Sequence, residues 1–360
     1  MKIGILGTRG IPNQYGGFEE FAEKVSALWV REGHEVLVYC EGNEATEDVL
    51  ENGVRRIFIK TYQRHLRGFY LFLYDFHSTR DAISRGCDVV YHAGYQSSVI
   101  GNLFLTKRLL GKLVYNMDGL EWKRSKWSPL VRKATKVFER MAARSGAPLV
   151  ADNKGIQDYL SQHHNVESTL IAYGADEVIC SLDVLREFGI EPGEYNILVA
   201  RFEPENNIEA IVTAHVQSSR QLIVVANDST QHYKELESVM DSSDEIHFLG
   251  PVYDKSKLNA LRHGAKLYFH GHTVGGTNPS LLEALACECQ ILAHDNSFNR
   301  DVLQEHGHYW KNASDIVALL ENEDSLEFRV ESQLRYLRQN FSWHQVARDH
   351  LSLFHQMVKV

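Results

Sequence analysis

Short apolar, β-branched runs alternate with longer stretches of helical period along almost the whole chain, the pattern of βα units folded into parallel sheets. In the first half these runs fall at 2–7, 35–40, 55–60, 88–92, 112–117 and 147–151. Between the first two, Phe18, Phe21, Val25, Leu28 and Trp29 share one helical face, and Gly33 stands where a left-handed cap would close the helix. The segment GTRGIPNQYGG is thereby placed in the loop between the first strand and the first helix. After Leu170 the pattern restarts, with strands expected at 195–200, 221–225, 245–249, 266–270 and 291–294. Pro192-Gly193 marks a turn ahead of this second set, so 172–193 reads as the linker region. The chain is therefore expected to be α/β, with two doubly wound, Rossmann-like domains at 1–172 and 173–342. A final helix, 343–360, reads as packing on either domain, the amino-terminal one among them. Such sheets bind ligands beyond the carboxyl ends of their strands, so function is expected in a cleft faced by both.

Composition narrows the classes without changing that picture. The chain has 360 residues, 44% of them hydrophobic and 24% charged, which excludes disorder and small disulfide scaffolds. The net charge of −9 argues against a nucleic-acid partner. MKIGILGTRG falls short of a secretory signal, and no window approaches the apolar length of a membrane span. Five cysteines without a framework spacing fit a reducing cytoplasm. The 18 histidines are scattered, with His163-His164 reading as a polar loop, so no metal site is expected.

The most informative segment is HGHTVGGTNPSLLEALACECQILAHD, residues 270–295. A strand ends near His270, a loop with Gly275 and Gly276 follows, and Asn278-Pro279 supplies an N-cap with proline at the first helical position. Helix starts of this kind attract phosphate, and the glycines admit close approach of backbone. Glu283, about one turn further in, reads either as an acceptor for sugar or ribose hydroxyls or as an ordinary acid near a helix start. His270 and His272 line the same loop. Arg201, at the carboxyl end of the second domain's first strand, offers donors that match phosphate oxygens.

At these residues the chain resembles the retaining glycosyltransferases of family four, which have the GT-B fold, and among them a bacterial rhamnosyltransferase-type subgroup with a distinctive amino-terminal domain. The resemblance rests on GTRGIPNQYGGFEEF with GHEV, NMDGLEWKR, VARFEPENN and VGGTNPSLLEALAC, and so covers most of the chain. It implies a nucleotide-sugar donor, with Arg201 and the backbone of Gly275, Gly276, Thr277 and Asn278 on the diphosphate and Glu283 on the ribose. His272 joins them as a donor-loop contact. It further implies that Gly16 and Gly17 meet the diphosphate from the other domain. Three departures stand out: Gly275 where the family has a glutamate, Asn206 where it has a lysine, and Asp118 where it often has a histidine. Asp118 then becomes the candidate for catalysis or hydroxyl binding, with Glu121 beside it, although an Asp-Gly turn reads equally well. The reaction implied is retaining and metal-independent, with no cofactor beyond the donor.

Between Lys107 and Arg144 eleven basic residues face three acids, a local balance of +8, with Trp122, Trp127, Leu130, Val131 and Phe138 interleaved. This fits a surface resting on anionic headgroups, as well as a plain solvated helix face. With the resemblance, it points to a cytoplasmic enzyme peripheral to the inner face of the membrane, transferring rhamnose or another hexose to a lipid-linked saccharide in polysaccharide synthesis. A nucleotide-sugar epimerase of similar fold and a non-catalytic nucleotide-sugar-binding subunit remain as alternatives.

Overall fold

Most of the apolar runs become strands buried on both faces, and parallel sheets covered by helices on both sides are where such strands belong. The computed structural model describes residues 1–14, 16–61, 69–103, 105–124 and 127–359, without the Lys107 side chain. These form two units: residues 1–122, 129–174 and 343–360 in the first, and 123–128 and 175–342 in the second.

The first unit holds an eight-stranded sheet in the order β3-β4-β2-β1-β5-β6-β7-β8. Its strands are β1 (Lys2–Leu6), β2 (Glu35–Gly42), β3 (Thr46–Val49), β4 (Arg55–Lys60), β5 (Val89–His92), β6 (Leu113–Asn116), β7 (Leu149–Ala151) and β8 (Thr169–Leu170). All pairs are parallel except β3 with β4. Helix Gly17–Arg31 buries Phe21, Ala22, Val25 and Trp29 against the sheet, and Gly33 adopts the left-handed φ of 85° that its position called for.

The closing helix, Trp343–Val358, belongs to this unit. Its Ala347 carbonyl accepts the Trp29 indole N–H at 3.0 Å, and Phe354 meets the Trp29 ring edge-on at 5.3 Å. Gly174 makes room for the entry of this helix, since a Cβ there would stand 2.6 Å from the Trp343 indole.

The second unit is a six-stranded, all-parallel sheet in the order β11-β10-β9-β12-β13-β14. The strands are β9 (Asn196–Val199), β10 (Leu222–Val225), β11 (Ile246–Phe248), β12 (Tyr268–His270), β13 (Ile291–His294) and β14 (Gly307–Trp310). The expected linker is only partly extended: Leu182–Phe188 forms a 3-10 helix whose buried Leu185 fills the space beside Gly264.

Three strands escaped the hydrophobic pattern. β3 reads TEDV and is exposed throughout, β8 has two residues, and β14 reads GHYW with only Trp310 fully buried. All three are edge strands, held by ladder hydrogen bonds on one side, and an edge needs no apolar stripe. The polar loop expected at His163-His164 is also corrected. Residues Leu160–His164 wind as a π-helix, and the His164 side chain is buried against Glu139, Nε2 to Oε1, at 2.9 Å.

Candidate functional site

In the second unit, β9, β10 and β11 are laid down in one direction, and β12, β13 and β14 in the other. The loops leaving β9 and β12 therefore part from each other, and crevices at such reversals are where open α/β sheets take ligands. The donor-side candidates sit on these two loops and on the helix that follows the second.

β9 ends at Val199 and Arg201 follows, exposed. The chain makes a 3-10 turn over Pro204–Asn206, and Asn207, at φ 49°, starts helix Ile208–Ser218. Asn206 ties this loop to the next one. Its Nδ2 donates to the Arg201 carbonyl at 2.7 Å, and its Oδ1 lies 2.8 Å from His272 Nδ1. Thr273 adds two bonds to the Glu205 carbonyl, from N at 3.0 Å and Oγ1 at 2.9 Å, while Asn207 Nδ2 donates to the Gly271 carbonyl at 2.7 Å. Gly271 is dictated by this approach, because a Cβ there would fall 1.9 Å from the Asn206 carbonyl oxygen. The asparagine at the family's lysine position is thus a structural tie between two loops.

Gly275 has φ 137°, a conformation open in practice to glycine alone, and a Cβ there would also crowd His272 Nε2 at 3.1 Å. Thr277 is buried, and Asn278 caps helix Pro279–Ala286 as expected, its Oδ1 accepting the Ser280 amide at 2.9 Å. The cap occupies that amide. An anion at this end therefore meets the helix field and the glycine backbone rather than the Ser280 N–H.

Burial, then the charges of Arg124 and Arg201, hold the His272 imidazole down to a pKa of about 4, so it is neutral near pH 7. A diphosphate arriving at this loop would raise it again. Binding at pH 5.5 is then expected to take up a fraction of a proton that the His272→Gln variant lacks. Calorimetry in buffers of different ionisation enthalpy reads this directly, and equal uptake by both proteins would remove His272 from the ligand's surroundings.

Glu283 does not stand free in the crevice. Its Oε2 accepts from Arg262 Nη2 at 2.6 Å, with side-chain exposures of 32% for the acid and 2% for the arginine. Arg262 also reaches Ser280 Oγ at 3.2 Å and Asn259 Oδ1 at 3.3 Å. Burial, the largest influence, opposes its charge, and Glu283 together with Tyr268, Cys287 and Cys289 outweighs it, leaving the guanidinium pKa above its ordinary value. Arg262 was invisible in the sequence, where it looks like any basic residue in the last turn of a helix.

In the first unit the corresponding reversal lies between β1 and β5. Gly16 and Gly17 sit on the β1 loop at the start of helix Gly17–Arg31, with Tyr15 outside the described residues. Gly16 is extended, and a Cβ there would meet only Glu19 Oε2 at 3.8 Å, so the fold itself does not demand this glycine. Asp118 and Glu121 follow β6, in a segment fixed through Trp122. The indole N–H donates to Glu139 Oε2 at 2.9 Å, the Trp122 carbonyl accepts from Arg132 Nε at 2.8 Å, and Lys136 lies 4.3 Å over the ring. Glu139 also accepts from the Tyr159 hydroxyl at 2.7 Å. Tyr95, after β5, is the polar group that the sequence reading missed here. Its hydroxyl is buried with no hydrogen-bond partner among the described residues, and burial together with Glu139, Glu121 and Asp118 raises its pKa.

The basic run does not form one surface. Arg124 belongs to the second unit, where its Nη1 lies 3.8 Å from Glu203 Oε2, and Lys112 donates to the Cys87 carbonyl at 2.8 Å. Trp122 and Phe138 are half-buried, Phe138 edge-on to Phe72 at 5.8 Å, while Trp127 is exposed but belongs to the second unit. Lys126 and the Lys107 side chain lie outside the described residues. What remains is helix Pro129–Ala143, which exposes Leu130 (78%), Val131 and Val137 among Arg132, Lys133, Lys136 and Arg140. Among the described residues no helix is long and apolar enough to cross a membrane, and no group of three His, Cys, Asp or Glu is placed to hold a metal.

Comparison with known proteins matches residues 1–176 to the family described as a domain of unknown function, DUF1972, and residues 186–329 to glycosyl transferases group 1. Each match covers less than half of the chain, the two lying one after the other along it. No curated protein matches it in sequence. Among solved structures, a sucrose-phosphate synthase from Thermosynechococcus elongatus aligns with a TM-score of 0.80 at 15% identity, covering 99% of this chain and 98% of that one. An α,α-trehalose-phosphate synthase (UDP-forming) from Burkholderia xenovorans, solved with glucose-6-phosphate, gives 0.75 at 11% identity over 99% and 100%. The Anabaena protein HepE, solved with UDP and glucose, gives 0.73 at 15% over 98% and 99%. At these identities the likeness establishes the fold, the two-sheet GT-B architecture expected from the sequence, along the whole chain.

Proposed function

We propose that the protein is a retaining glycosyltransferase that takes rhamnose or another hexose from a nucleoside-diphosphate donor and passes it to a lipid-linked saccharide. The observation that carries this reading is the β9/β12 reversal itself: Arg201 follows one of these strands and a capped helix start follows the other, with Glu283 on that helix anchored from behind by Arg262. The group 1 match over the same residues supports it, as does the UDP and glucose held by HepE of like fold.

In this scheme the bond between the sugar and the diphosphate breaks, and negative charge gathers on the departing group while the sugar becomes oxocarbenium-like. Arg201 and the helix field stabilise the diphosphate, which is the principal electrostatic task in such a transfer. Arg262 holds Glu283 through Oε2, leaving Oε1 to accept from ribose hydroxyls. In the first unit Asp118 and Glu121 contact acceptor hydroxyls, with Asp118 the candidate base. Helix Pro129–Ala143, with Leu130, Val131 and Val137 exposed among basic side chains, suits the headgroup layer of an anionic membrane, where a lipid-linked acceptor would be met.

Incubating the purified chain with UDP-, GDP- and dTDP-sugars, with and without lipid-linked acceptors in anionic vesicles, tests the proposal. Acceptor-dependent sugar transfer is the expected result. Isomerisation of the donor without acceptor would instead favour an epimerase, and binding with neither reaction a non-catalytic subunit.

A further inference from the structure

We propose that Arg124 is a second cationic contact for the donor's diphosphate, acting beside Arg201. The inference rests on the donor-site reading above and extends it to a residue in the first half of the sequence.

The position of the segment is the first observation. Residues 123–128 belong to the second unit although the chain on both sides of them belongs to the first. Within it, Arg124 engages the loop after β9. Its Nη1 stands 3.8 Å from Glu203 Oε2, and both side chains are only 14% exposed. The Glu203 amide in turn donates to the Arg201 carbonyl at 2.7 Å, so the two arginines flank one short turn. Both guanidinium charges bear on the His272 ring, and that ring sits where a Gly275 Cβ would be crowded. Arg124 thus shares with Arg201 both the turn after β9 and an electrostatic bearing on His272, in the loop that leads to the helix start.

Charge arithmetic gives the reason. Arg201 and Glu203 cancel, which leaves the helix start with roughly +0.5 of a charge to meet a diphosphate carrying more than one negative charge. Asn206, being neutral and committed to the loop tie, adds nothing. Arg124 raises the local balance to about +1.5. The 3.8 Å contact to Glu203 is long for a charge-assisted hydrogen bond.

The rival account is that Arg124 only neutralises Glu203, and a variant cycle separates the two. The probe is whichever of UDP, GDP and dTDP binds the full-length protein most tightly, with its nucleoside as control, measured by calorimetry on Arg124→Ala, Glu203→Gln and the double variant. We expect Arg124→Ala to weaken diphosphate binding at least tenfold and nucleoside binding less than twofold. Glu203→Gln should bind as well as wild type or better. The double variant should stay at least fivefold weaker than Glu203→Gln, and Arg124→Lys, which keeps the charge in a folded chain, should recover part of the loss. Wild-type affinity in the double variant, or no loss in Arg124→Ala while Arg201→Ala abolishes binding, would overturn the Arg124 role alone. Failure of all three diphosphates to bind the wild type would remove the donor site and this inference together.

Discussion

Replacing Glu283 by alanine is expected to cost the fold about 3 kcal/mol, because it strips a buried guanidinium of its counter-charge. Arg262 is 2% exposed and would be left with Ser280 Oγ at 3.2 Å and Asn259 Oδ1 at 3.3 Å, two neutral acceptors. Breaking a buried pair from one side typically costs ~3–5 kcal/mol, and the one-third exposure of the acid puts this pair at the lower end. Removing both charges is different, since a buried ion pair replaced by apolar groups of like volume is often neutral. Arg262→Met with Glu283→Met should therefore recover most of the stability while remaining unable to hold a ribose. Urea midpoints at constant slope measure this, and a Glu283→Ala protein as stable as wild type would show that the pair does not support the fold. The consequence for function is direct: activity lost in Glu283→Ala alone mixes a folding defect with a binding defect, and the double variant separates them.

Arg201→Ala carries the opposite signature, with little change in stability and at least a ~10-fold loss in kcat/KM. A charge-assisted hydrogen bond is worth about 1.5–3 kcal/mol, which is about tenfold or more in rate when the bond is made to the departing diphosphate. Stability should hold because the residue is exposed, and because the loop tie from Asn206 uses the Arg201 carbonyl, which alanine keeps. Steady-state kinetics with any competent donor decides the matter. Near wild-type kcat/KM would take Arg201 out of the donor site.

These two variants mark the line between what could be read early and what could not. The position of Arg201 after a strand end, and the helix start marked by two glycines and a cap at 275–278, were legible because each is a local feature. Arg262 was not. It lies 21 residues before Glu283 on a different helix, and only the packing of helix Lys255–His263 beside helix Pro279–Ala286 turns a routine helix-end arginine into a buried counter-ion. Glu139 is a similar case, one acid in a basic run whose role appears only when Trp122, Tyr159 and His164 converge on it. Arg124 went the other way. Its neighbours suggested a membrane-facing charge, and tertiary structure placed it by Glu203.

By itself, the sequence determined the βα alternation, the two sheets, the buried face of helix Gly17–Arg31 and the capped start at Asn278, because each follows from spacing or from one residue's own backbone preference. Only the tertiary structure decided strand order, and with it the reversals at β1/β5 and β9/β12 where the candidate loops part. Strand order is a matter of which distant segments pair, and no local period encodes it. The same holds for charge: a guanidinium becomes a counter-ion, a phosphate ligand or a solvated tip according to what the fold sets beside it.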